Sequence, residues 1–263
     1  MPQAIARAGV GQLLKEWRRR RHMSQLDLSL EADVSARHLS FIETGRARPS
    51  AEMVLHLAEQ LDVPLRDRNQ LLLAAGYAPA YGQRDLDAPE MGPVRAALDR
   101  VLDGLSPNPA LVIDRHWGLV AANAATFALV GDAAPHLMEP PVNVLRLSLH
   151  PEGLAPRIVN LGEWRAHLLD RLGREAVMSG DPALSTLHQE LAGYPCDEPA
   201  HAPDLEAGAI AVPLRVRSDA GELSFISTVT TFGTALDVTV SELSIESFFP
   251  ADEATAAFLR SVA

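Results

Sequence analysis

Two helix starts stand eleven residues apart in this sequence, Ser24 and Ser35, and the residues between them leave room for one short helix and one tight turn. Ser24 with Asp27 three residues on has the form of a capping box, in which hydroxyl and carboxylate each accept a backbone N–H at the head of a helix. Leu26, Leu28 and Leu30 supply that helix with apolar surface. Ala32-Asp33 then breaks it, because Asp tolerates the left-handed backbone that a tight turn requires. Ser35 offers its hydroxyl as the cap of the next helix. The stretch therefore reads as helix, turn, helix.

Wound at about 100° per residue from Ala36, the second helix places Leu39 and Ile42 near 300° and 240°, with Ser35 near 260°, on an inward side. Ala36, Arg37, Ser40, Phe41 and Thr44 fall between about 0° and 140°, and His38 stands at the edge near 200°. The outer face is small, hydroxylated, cationic and aromatic. Such a face suits a major groove, where Arg bridges the guanine acceptors, Ser donates or accepts, and Phe touches a thymine methyl. A second role is open to Phe41, filling an apolar gap against a neighbouring subunit.

Charge separates the chain into two parts. Residues 1–84 hold 12 Lys and Arg against 9 Asp and Glu, while the remainder holds 11 against 25, within a net charge of -11. A basic module followed by an acidic one directs a polyanion to the first alone. The single cysteine, Cys196, has no internal disulfide partner and no C-x-x-C spacing exists. No apolar run of about 20 residues spans a bilayer, and no signal peptide opens the chain. The expectation is a cytoplasmic protein without a membrane partner.

Residues 10–64 resemble the XRE-family helix-turn-helix module. The likeness runs through Met23-Ser24-Gln25, Val34-Ser35, Leu39, Phe41-Ile42-Glu43, Gly45-Arg46, Arg48-Pro49-Ser50 and the apolar positions Val54, Leu57, Ala58 and Leu61. By that resemblance Gln25 touches a backbone phosphate, Ala36, Arg37 and Phe41 read bases, and Thr44, Arg46 and Arg48 hold phosphates. It also implies an ion pair of Arg18 with Glu43 and a homodimer on double-stranded DNA, each copy on one half-site. Asp33 stands where the family usually has Gly, and Phe41 where the residue is more often polar.

A helix from Leu65 to Ala75 ends at Gly76, and the irregular stretch that follows divides a DNA-binding domain, residues 1–80, from a linker, 81–92, and a second domain, 93–263. Val94 to Leu105 keeps helical spacing. ALVID (110–114) and GLVAAN (118–123) read as two strands joined by a turn, and a helix follows at Ala124 with Asn123 as its cap. That succession resembles the opening of a PAS-type sensor domain. Residues 161–178 and 182–191 read as helices. Ile210 to Arg217 alternates as a half-buried strand, Ser218 to Gly221 turns into a strand from Glu222 to Phe232, and a third strand carries Leu236, Val238 and Val240. Its apolar parity switches at Leu243 and Ile245, which a bulge near Ser241 accounts for. The expected fold is α+β: an all-α helix-turn-helix bundle, then a PAS-like antiparallel sheet covered by helices on one face.

The second part also resembles the ligand-binding domain of MmyB-like transcription regulators, through NPALVIDRHWGLVAAN, NVLRLSLHPEG, WRAHLL and GELSFISTVTTFGTALDVTVSELSIESFFP, over residues 94–250. The resemblance implies a sensor for a small apolar ligand with an acid tail, such as a fatty acid. A cavity for it needs apolar walls and a cation for the carboxylate. Arg146, set among Leu145, Leu147 and Leu149 and near His150, fills that role or is a surface charge. Trp164 and His167 share a helix face, and Phe127, Phe225 and Phe232 are wall or core. Enzyme motifs are absent: no G-x-S-x-G, no phosphate-binding glycine loop and no H-E-x-x-H. No cofactor or metal is expected; Cys196-Asp197-Glu198 with His201 and Asp204 is the acidic group nearest to one, on a Pro-rich loop. The alternative to a ligand sensor is a protein-interaction domain with a solid core on the same DNA-binding module.

Overall fold

A computed structural model describes residues 9–131, 133–198, 211–219 and 221–262. Its contacts divide into a helical unit, Met1–Asp85 with Gly233–Ser241, and a mixed unit, Leu86–Phe232 with Glu242–Ala263.

The helical unit contains α1 (Val10–Arg20), α2 (Gln25–Glu31), α3 (Ala36–Glu43), α4 (Ala51–Gln60) and α5 (Leu65–Ala74). Its starts are capped as the local sequence dictates. Ser24 Oγ accepts the Asp27 N–H at 3.1 Å, Asp27 Oδ2 accepts the Ser24 N–H at 2.7 Å, and Ser35 and Ser50 cap α3 and α4. Asp33 takes φ 49°, so a non-glycine residue does make the left-handed turn. Leu14, Trp17, Leu28, Leu39, Ile42 and Leu57 form the centre of the core.

Leu26 and Leu30 depart from expectation, being 59% and 72% exposed while Leu28 is buried. Residues two apart on a helix point about 200° away from each other, so the outer two leucines share a side and the middle one faces opposite. The tightest approach is at Gly11 of α1, where an added Cβ would lie 2.1 Å from the Ile42 carbonyl oxygen of α3.

The mixed unit runs α6 (Gly92–Leu105), β1 (Ala110–Ile113), β2 (Leu119–Ala122), α7 (Ala124–Val130), α8 (Pro135–Met138), α9 (Val144–Leu149), α10 (Leu161–Ser179), α11 (Pro182–Ala192), β3 (Leu214–Ser218) and β4 (Gly221–Thr231). A short α12 (Val238–Ser241), which packs with the helical unit, precedes β5 (Ser244–Pro250) and α13 (Glu253–Val262). The sheet is antiparallel in the order β2-β1-β5-β4-β3.

Strand parity assigns the two faces. Ala110, Val112, Leu243 and Ile245 pack on Leu98 and Leu102 of α6, so helices cover both faces at this end of the sheet. Leu111, Ile113, Phe225 and Phe248 face the opposite way, toward Leu145, Trp164, Leu168 and Leu187. Asn123 joins the parts: its Oδ1 accepts the N–H groups of Ala110 and Thr126, and its Nδ2 donates to Asn108 O.

The third strand read from Leu236, Val238 and Val240 is instead α12, with Leu236 82% exposed. The parity switch comes from this helical turn rather than a bulge. Three valines and leucines at alternate positions do not distinguish a strand from a short turn of helix that is held from outside. What holds it lies far back in the chain: Val238 N–H donates to Gly82 O at 2.8 Å, Thr239 Oγ to Arg84 O at 2.6 Å, and Arg84 pairs with Asp237 at 3.0 Å. Val238 is fully buried.

Candidate functional site

The outer face of α3 is built by what its inner face buries. With Leu39 and Ile42 in the core, Ala36, Arg37 and Thr44 are exposed, and His38, Ser40 and Phe41 are half-buried. Arg46 stands exposed just beyond the helix. The Arg37 guanidinium lies over the Phe41 ring at 5.3 Å, so the two side chains form one stacked surface. The Ser35 hydroxyl serves first as the cap, accepting the His38 N–H at 3.2 Å.

Glu43 at the end of α3 ties both α1 and α2 to that helix. Arg18 binds both carboxylate oxygens of Glu43, at 2.7 and 2.9 Å, and also donates to Met23 O. Gln25 Nε2 donates to Glu43 Oε2 at 2.7 Å, which leaves one amide N–H for a phosphate. Burial pushes the Glu43 carboxyl up, but the Arg18 and Gln25 hydrogen bonds and the nearby positive charges outweigh it and hold the group below its ordinary value. Arg48 turns back, donating to Ala75 O at 3.0 Å and lying over the Tyr77 ring. Its expected phosphate role competes with that of a clamp on the end of α5.

In the mixed unit an apolar cavity of about 70 Å³, open at its mouth, lies between α7, α9, α10 and the sheet. Leu111, Leu145, Leu147, Trp164, Leu168 and Phe248 contribute to its wall. Of the residues expected to bind ligand, Phe127, Leu145 and Trp164 line it.

The others fall elsewhere. Arg146 is not in the wall; it forms a bidentate pair with Glu190, both contacts 2.7 Å, and Tyr194 OH donates to the same carboxylate. Leu145 and Leu149, four apart, take the inner side of α9 and turn Arg146 outward. His150 stacks edge-on against Tyr194 and His136. His167 lies beside Trp164, its imidazole held below the usual value by burial and then by Arg171 and Arg174. Phe225 is fully buried in the core under the helices, and Phe232 packs on the α6 side of the sheet.

Sequence reasoning missed the charged member of the wall, Glu246. It is 4% exposed, sits opposite Leu111 on β5, and receives Arg171 Nη1 at 3.0 Å. Arg171 in turn donates to Glu175, lies 4.3 Å over the Trp117 ring, and Glu175 accepts the Trp117 indole N–H. Burial pushes the Glu246 carboxyl up against the pull of Arg171. The signal was parity, since Glu246 shares the face of Phe248 rather than that of Ile245.

His136, His150 and Glu152 bring potential ligand atoms within 4.8 Å of one another. The Glu152 N–H donates to His150 Nδ1 at 3.1 Å, which places the proton of the neutral ring on Nε2, and His136 Nε2 lies 4.0 Å from Glu152 Oε2. His201 and Asp204 lie outside the described residues. Glu198 accepts the Gly162 N–H near the start of α10.

A family model for the MmyB-like transcription regulator ligand binding domain matches residues 94–262, and a helix-turn-helix model matches residues 14–67. No curated protein matches the chain.

Proposed function

The chain belongs to the MmyB-like transcription regulators, a DNA-binding helix-turn-helix joined to a ligand-binding domain, and from that premise we propose that an apolar chain such as a fatty acid is the signal it senses. The observation that carries this reading is the cavity wall, whose described residues are apolar at all but three positions. The antiparallel order β2-β1-β5-β4-β3, with helices between β2 and β3, supports a PAS-like sensor. We read the protein as a cytoplasmic homodimer on two half-sites, a regulator with no catalytic step of its own and no resident cofactor.

On this reading Arg37 contacts bases and Arg46 contacts phosphate. Arg37→Ala weakens binding to the preferred operator by about 1–3 kcal/mol and relaxes selectivity at one position. Arg46→Ala weakens binding to all sequences and lowers the salt slope by about one. Fluorescence anisotropy across a salt series checks both, and affinity independent of salt contradicts the assignment. Native mass spectrometry of full-length protein made in cells checks the ligand: an added mass released on denaturation and identified as a lipid supports it, and a chain that never carries or takes up one refutes it.

A further inference from the structure

Thr126, Ser148 and Glu246 are the polar members of the cavity wall. Two are engaged locally: Thr126 Oγ donates to Ala110 O at 2.8 Å, and Ser148 Oγ accepts the Trp164 indole N–H at 3.2 Å. Glu246 differs in bearing a carboxyl group whose Oε1 is met by Arg171, a pairing that favours the ionised, acceptor-only form against the burial that pushes the group up. Arg171 is committed three ways, to Glu246, to Glu175 and to the Trp117 face, and does not itself line the cavity. The cation nominated for a ligand carboxylate, Arg146, is bound to Glu190. A ligand carboxylate seated here would meet a like charge in an apolar wall, with no cation among the described wall residues.

We propose that Glu246 recognises the head of the ligand, and that this head is a hydrogen-bond donor on an apolar chain: a hydroxyl, or a carboxylic acid bound with its proton. The inference rests on the cavity reading above and names the head that reading leaves open. A donated O–H gives the buried carboxylate a second partner beside Arg171, and hydrogen bonds to charged groups are among the stronger ones. An ester of the same length fills the same walls and leaves Glu246 without that partner.

The test uses the full chain and three probes, decanol, decanoic acid and methyl decanoate, each displacing an uncharged environment-sensitive dye. It is run well above the pKa range of carboxylic acids, so that the acid is ionised in solution. Decanol is expected to bind about tenfold or more tightly than the ester, corresponding to about 1.4 kcal/mol, and decanoate more weakly than decanol. Glu246→Gln narrows the gap between alcohol and ester and improves decanoate, while Arg171 keeps an oxygen to bind.

Equal affinities for all three probes in the unaltered protein, or decanoate as the tightest ligand, overturn the role of Glu246 while the cavity reading stands. If no probe displaces the dye, the cavity reading fails and this inference fails with it. The comparison among probes needs no variant, so a Glu246→Gln chain that does not fold leaves it intact.

Discussion

At the scale of single residues the most consequential pair is Arg18 and Glu43, two ions set into the helical core 25 positions apart and joined by two hydrogen bonds. Removing one partner of a buried pair leaves an uncompensated charge, so Glu43→Ala loses about 3–5 kcal/mol. Replacing both at once, Arg18→Met with Glu43→Leu, recovers most of that, and urea unfolding of the three chains checks the order. The pH dependence follows from the lowered Glu43 carboxyl. Its stabilisation is complete above the unfolded value of about 4.3 and is lost as pH falls through the folded one. Glu43→Gln shows a shallower acid slope than the unaltered chain. The pairing was legible only through resemblance, because nothing local to Arg18 points 25 residues ahead.

At the scale of elements, the caps and turns were legible because each is decided within four residues: Ser24 with Asp27, Asp33 at the turn, Asn123 at α7. How elements approach was not. Gly11 reads as a weak point in α1, where Ala gains about 0.5–1 kcal/mol of intrinsic stability in a helix interior. Against the Ile42 carbonyl that gain is outweighed, since a Cβ at 2.1 Å from backbone drives the two helices apart. Gly11→Ala is expected to lower stability by about 1–3 kcal/mol, the usual cost of overpacking. Leu30→Lys, on the exposed side of α2, stays within about 0.5 kcal/mol. Thermal melts of the two variants separate packing from propensity. The cavity shows the same division: its apolar lining was implied by composition and resemblance and the parity of Glu246 with Phe248 was local, whereas which face of β5 meets the cavity came from its pairing with β1.

At the scale of the whole molecule, sequence order and spatial membership disagree in one place. Gly233–Ser241, in the connection between β4 and β5, belongs to the helical unit, where Val238 is buried and α12 packs on α5. Val238→Ala removes two methyl groups from that contact and is expected to destabilise the helical unit by about 1–3 kcal/mol. Hydrogen exchange checks it, with faster exchange at α5 amides and little change at those of β4. Ser244–Pro250, which begins three residues after α12, carries Glu246 and Phe248 of the cavity wall, so one continuous stretch of backbone serves both halves. Chimeric regulators made by exchanging sensors at Leu86 would therefore inherit a foreign α12 against a native α5. A faithful graft has to carry residues 233–241 with the DNA-reading half.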